Sequence, residues 1–290
     1  MKHILACIDA SPYAARVCDL AAWAAKRLGG SVELLHAIQR SNAAASRKDL
    51  SGAIGLGVKS ALLEELTQLD EAEGKLAIER GRVLLQGAEE HVRGLGVDEI
   101  SVTHRHGGIV ETVTDREDKA DVVVIGKRGE SSDFAKGHIG SQLERVVRAS
   151  SKPVIVCSSR GPDLANEDPS LVIVAYDGAA ASKKGLELVA TSAMFSGLPV
   201  RIVVAGSDDA KHRARAAEAQ QLLEKYGCEG EIALKDGAPD AILGAMMKET
   251  PKGFLVMGAY GHSPLRTLIV GSTTTAMIRT VHAPVLLMRP

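Results

Sequence analysis

Gly258 and Gly261 stand three residues apart, and nine residues further on come Gly271, Ser272, Thr273, Thr274 and Thr275. Glycine permits tight turns and lets a ligand approach the backbone closely. Amide N–H groups at a helix start attract an anion, and the Ser272 and Thr273 hydroxyls add donors. The chemistry open to this set is the holding of a phosphate. No nucleophile, base and acid can be assembled around it, so no catalytic residue is assigned. Slow hydrolysis or self-phosphorylation at Ser272 or Thr273 is the most an enzymatic reading could claim, because no general base or metal-binding acid is evident.

Blander roles exist for each of these residues. The glycine pair could be a turn and Ser272 a helix cap, but capping alone leaves the four-position spacing unexplained. Asp9 and Asp177 each end an apolar run and could cap the helices that follow. Arg266 reaches either a phosphate or solvent. His104 and His106 alternate on a strand and share a face, yet a metal needs a third ligand that is not evident. His36 reads as a hydrogen-bonded core residue. Gly52, Gly55, Gly57, Lys59 and Ser60 imitate a P-loop, but Val58 separates glycine from lysine and no strand precedes the run, so the reading fails.

The elements that position these residues come in two sets. HILACIDAS (3–11) matches LVIVAYDGA (171–179), VVVIGKRG (122–129) matches FLVMGAYG (254–261), and KPVIVCSS (152–159) matches APVLLMRP (283–290). The order is kept, and the first copy holds about 36 extra residues, a surface insertion of low closure cost. Near-continuous β-branched runs predict strands at 3–8, 32–37, 99–104, 121–126 and 153–157, then 171–176, 200–205, 230–234, 254–258 and 284–288. Helices are predicted at 12–28, 60–94, 108–118 and 140–149, and at 181–196, 209–226, 238–249 and 271–281. Strands and helices in alternation predict a doubly wound parallel sheet in each copy, with ligands outside the strands' carboxyl ends. SSRGPDLANEDPS (158–170) has linker composition. Within 60–94, Leu62, Leu63, Leu66, Leu69, Leu76, Val83 and Leu84 recur at helical spacing, which predicts a packing helix before a partner surface.

The 290 residues suit two domains. A net charge of -1 and 45% apolar residues give no global reason to bind nucleic acid or an anionic membrane. The first apolar run meets Asp9 at once, and no segment reaches spanning length. Cys7, Cys18, Cys157 and Cys228 lack paired spacing, which argues against disulfides and zinc and for buried thiols in a reducing cytoplasm.

Gly258, Gly261, Gly271 and Ser272 match without a gap the G-x-x-G, nine residues, G-S/T pattern of nucleotide-binding members of the universal stress protein family, which the chain resembles over nearly its whole length. The resemblance implies a tandem α/β member with Rossmann-like (adenine nucleotide alpha hydrolase-like) domains at 1–160 and 168–290. Each would be a five-stranded parallel sheet with helices on both faces. It implies ATP as ligand, with or without magnesium. Asp177 and Ala205 would contact adenine, Gly258 would lie by the ribose, and Gly261, His262, Gly271, Ser272 and Thr273 would hold phosphates with Thr274 beside them. It also implies pairing of the last strands, 153–157 with 284–288, which would cover an open sheet edge. A homodimer and a partner protein stay open.

The counterpart set in the first copy is Asp9, Ala37, Gly126, Gly129, Gly140 and Ser141, and it departs from the pattern. Ten residues separate Gly129 from Gly140, Gln142 replaces a small hydroxyl, and Glu130 and Asp133 bring negative charge to a phosphate site. Lys127, Arg128, Lys136 and His138 could offset that charge. A degenerate structural copy is the favoured reading here. The expected function is a cytoplasmic, non-enzymatic, ATP-binding regulator of the stress response, with a nucleotide-independent interaction platform and a slow ATPase as alternatives.

Overall fold

The computed structural model describes residues 1–38, 59–129, 141–259 and 271–290. The first half runs β1 (His3–Cys7), α1 (Ala14–Leu28), β2 (Ser31–Ile38), α2 (Lys59–Gly94), β3 (Ile100–His106), α3 (Ile109–Arg116), β4 (Val122–Gly126), α4 (Ser141–Ala149) and β5 (Val154–Cys157). The second runs β6 (Leu171–Ala175), α5 (Ala180–Thr191), β7 (Val200–Ala205), α6 (Ala210–Tyr226), β8 (Glu231–Lys235), α7 (Pro239–Glu249), β9 (Gly253–Gly258), α8 (Ser272–Thr280) and β10 (Val285–Met288). Every predicted strand and helix is present, with shifts of a residue or two at most ends. The exception is 181–196, where α5 stops at Thr191 and a separate 3-10 turn follows at Ala193–Phe195.

The ten strands among the described residues form one sheet in the order β3-β2-β1-β4-β5-β10-β9-β6-β7-β8. Pairing is parallel within each half and antiparallel only where β5 meets β10, with Val156, Ile155 and Val154 opposite Val285, Leu286 and Leu287. Each half alone would end in an apolar edge strand with unpaired amides, and the junction removes both edges. Because side chains alternate along a strand, the sheet carries two cores. Ile4, Ala6 and Ile8 face α1, α2, α5 and α6, whereas Leu5 and Cys7 face α3, α4, α7 and α8. Both cores run unbroken across the junction.

Aromatic rings join the halves as well. Trp23 of α1 lies 5.5 Å from Phe254 of β9 and 6.3 Å from Phe195, and its indole N–H donates to Asp168 at 2.8 Å. The predicted packing of α2 is met only over its second part. Gly81, Leu85, Ala88 and Val92 are buried, but Leu69, Leu76 and Val83 are 53%, 49% and 57% exposed. No helix among the described residues is long and apolar enough to cross a membrane.

Candidate functional site

In the second half β6 has β7 on one side and β9 on the other, so successive crossovers leave it in opposite directions. Such a switch point opens a crevice at the carboxyl ends of the strands. Asp177 follows β6, Ala205 ends β7 and Gly258 ends β9, so three of the expected residues surround that crevice. Asp177 accepts from the Ala179 amide at 2.9 Å and from the buried Ser182 hydroxyl at 2.6 Å. It closes a turn and is not the N-cap of α5, which is Ala179, a residue whose own side chain makes no cap bond. Gly178, at φ +77°, completes the turn in the left-handed region that favours glycine.

Behind this turn lies a network that the sequence reading missed. The Tyr176 hydroxyl donates to Glu218 at 2.8 Å, and Lys183 bonds the other carboxylate oxygen. Burial, then the Glu218 carboxylate, pushes the Tyr176 phenol above its ordinary range. The Asp177-Gly178 pair was a legible turn signal, but Glu218 is forty-two residues from Tyr176 and no local pattern announces it.

Gly258 and Gly271 differ in kind. A methyl built on Gly258 would stand 3.0 Å from Ala181 Cβ and 3.2 Å from the Ser182 amide nitrogen, so this glycine lets β9 pass the start of α5. Among the described residues a methyl on Gly271 would meet only the Thr274 hydroxyl, at 3.8 Å. Gly271 is also the N-cap of α8 and, as a glycine, offers the first-turn amides no side-chain acceptor of its own. Ser272 therefore lies inside the helix and is not its cap. Thr274 is 3% exposed, and its hydroxyl donates to the Gly258 carbonyl at 3.2 Å, tying the first turn of α8 to the end of β9. Gly261, His262 and Arg266 lie outside the described residues.

The first half keeps the frame and fills it differently. Asp9 follows β1 and accepts from the Ser11 amide at 3.2 Å and from its hydroxyl; the N-cap of α1 is Tyr13, so Asp9 is no cap either. Ala37 lies in β2 and Ser141 opens α4. A methyl on Gly126 would meet Tyr13 Cβ at 2.8 Å and Cγ at 3.3 Å, so a phenol sits where the second half has the small Ala181. A methyl on Gly129 would come within 3.1 Å of the Asp9 carboxylate, which brings the loop after β4 back over Asp9. Lys127 does not face an anion position but reaches the C-terminal carbonyls of α8. Gly140, Glu130, Asp133, Lys136 and His138, with the P-loop-like Gly52, Gly55 and Gly57, lie outside the described residues.

The histidines and cysteines have ordinary roles. His36 bonds the Ile8 carbonyl at 2.8 Å, and its ring lies 5.3 Å from that of His104 beneath Gly81 of α2. Burial, then His36 and His106, lowers the His104 pKa. Cys7, Cys18 and Cys157 are buried and Cys228 is half-buried. No group of three or more metal-ligating side chains occurs among the described residues.

The family model described as the universal stress protein family matches residues 1–158 and again 171–289. The chain is 34% identical over 292 residues to the universal stress protein Slr1230 of Synechocystis, covering all of both chains. It is 23% identical over 197 residues to the universal stress protein Rv2005c of Mycobacterium tuberculosis, covering 62% of this chain and 65% of that one. A solved universal stress protein from Archaeoglobus fulgidus superposes with a TM-score of 0.72 at 21% identity, over 99% of this chain and 98% of the other. The repeated strand order, the single junction and two family matches in one chain agree, and the protein belongs to the universal stress protein family as a tandem member with two Rossmann-like domains.

Proposed function

We propose that this protein is an ATP-binding regulatory member of its family, with domains at 1–160 and 168–290 and the nucleotide held by the second. The observation that carries the reading is Gly271. It opens a helix with no side chain of its own to cap the first amides, and among the described residues a Cβ there would meet only the Thr274 hydroxyl, at the carboxyl ends of the strands where Asp177 and Gly258 also lie. Such an end suits an anion. Adenine would lie toward Asp177 and Ala205, ribose near Gly258, and phosphates against Gly271, Ser272 and Thr273. Thr274 supports this set through Gly258. Any magnesium would come with the phosphates. In the first domain the Tyr13 ring at Gly126 and the diversion of Lys127 favour a structural copy.

Equilibrium dialysis is expected to find about one ATP per chain. Binding of two per chain would overturn the assignment of one domain, and binding of none would overturn the function. The exposed Leu69, Leu76 and Val83 favour a second reading, a nucleotide-independent interaction platform. That reading gains if the purified protein carries no nucleotide and its melting does not shift with millimolar ATP.

A further inference from the structure

Lys127 directly follows Gly126, inside the glycine loop of the first half, where a cation would ordinarily wait for an anion. It is instead 7% exposed, and its ammonium donates to the Arg279 carbonyl at 2.8 Å and to the Val281 carbonyl at 3.4 Å. Both carbonyls lie at the C-terminal end of α8, with Val281 as its C-cap. The last carbonyls of a helix have no donor of their own, and a cation there also complements the helix dipole. The matching residue of the second half, Ala259, is buried and has no charge to offer. The C-terminal side of α4 takes its cation from elsewhere, since Arg289 donates to the Ser150 carbonyl at 3.0 Å. Each half thus lends a cation to the helix that closes the other.

Only the α8 contact leads to the candidate phosphate site. The nine residues of α8 span about 13 Å, with Lys127 holding one end and Thr274 tying the other to Gly258. So short a helix moves as one body, and displacement at its C-terminus is carried to Gly271 and Ser272. Burial, with Arg128 nearby, lowers the Lys127 pKa to about 8, so the site keeps this cation against a desolvation cost.

We propose that Lys127 is a positioning residue for the nucleotide site of the second domain, so that a loop built to hold an anion in one domain anchors the helix that receives the anion in the other. The proposal rests on the ATP reading above. Its test compares ATP affinity, by calorimetry on the full chain, in the wild type and in Lys127→Met, Lys127→Arg and Arg289→Met. Lys127→Met is expected to weaken ATP roughly 2- to 30-fold, the range usual for coupling through a packed element. Lys127→Arg should recover most of the loss, because it again supplies a charged donor. Arg289→Met removes the reciprocal cation from the same junction and should leave ATP affinity within about twofold, a benchmark set by that same range.

Melting curves establish that each variant is folded. If Lys127→Met does not fold, Lys127→Gln keeps a neutral donor and is expected to give an intermediate affinity. A folded Lys127→Met or Lys127→Gln with wild-type affinity overturns the proposal. So does an Arg289→Met loss equal to that of Lys127→Met, which would make the effect one of general junction stability. A wild type that binds no ATP instead overturns the underlying reading, a result distinct from both.

Discussion

Replacing Gly271 by valine separates binding from folding. The backbone there is at φ -51° and ψ 146°, which a side chain accepts, and among the described residues the new Cβ would touch only the Thr274 hydroxyl at 3.8 Å. The folding cost is that of a poorer N-cap, about 0.5–1 kcal/mol. For a chain of this size that lowers the melting temperature by no more than about 4 °C. The branched side chain would occupy the space assigned to phosphate, so ATP retention in dialysis should be lost. Gly258→Ala provides the contrast, since its Cβ would press on Ala181 at 3.0 Å and on the Ser182 amide nitrogen at 3.2 Å, with an overpacking cost of about 1–3 kcal/mol. Gly271→Val should therefore melt nearly as the wild type does yet bind no ATP, whereas Gly258→Ala should show a clear drop in melting temperature. A folded Gly271→Val that holds ATP with wild-type affinity would refute the reasoning, because the phosphate would then lie elsewhere.

Other outcomes follow from buried groups. Glu33 is desolvated, which opposes its charge, but hydrogen bonds from His3, Thr103 and Arg116 and the Arg116 charge overcome this and hold its pKa at about 2. A carboxylate lowered from 4.5 stabilises the fold above that pH, by roughly 3 kcal/mol, and the contribution fades as pH falls from 4.5 toward 2. The stability gap between wild type and Glu33→Gln, from urea titrations, should shrink over that window, and a constant gap would discount the network. Burial pushes the Cys7, Cys18 and Cys157 thiols up to about 12, so a thiol reagent at pH 8 should label at most Cys228 before denaturation; two labels on native protein would contradict the packing. Trp23→Ala opens the aromatic contact between the halves and should cost about 3–5 kcal/mol in urea unfolding, and a loss below 1 kcal/mol would show that the junction does not depend on it.

The amino-acid order alone determined the duplication, the strand and helix positions and the two glycine sets, because these are local signals. Apolar periodicity follows from how a strand or helix buries its neighbours, and a glycine loop is written in consecutive residues. Tertiary structure decided what those residues touch. Tyr13 and Ala181 occupy equivalent places, yet only their packing shows that a phenol ring lies against Gly126 where a methyl lies against Gly258. Lys127 sits among anion-binding candidates in sequence, but its long side chain goes to whichever carbonyls lack donors within reach, and those belong to a helix more than 150 residues away. Leu69, Leu76 and Val83 share the periodicity of a packing helix, but only the sheet's own extent decides how far along α2 there is anything to pack against. The resemblance implied that 153–157 pairs with 284–288, and the sheet bears this out, but the antiparallel register of Val154–Val156 against Val285–Leu287 is a property of edges that exist only once the strands have paired.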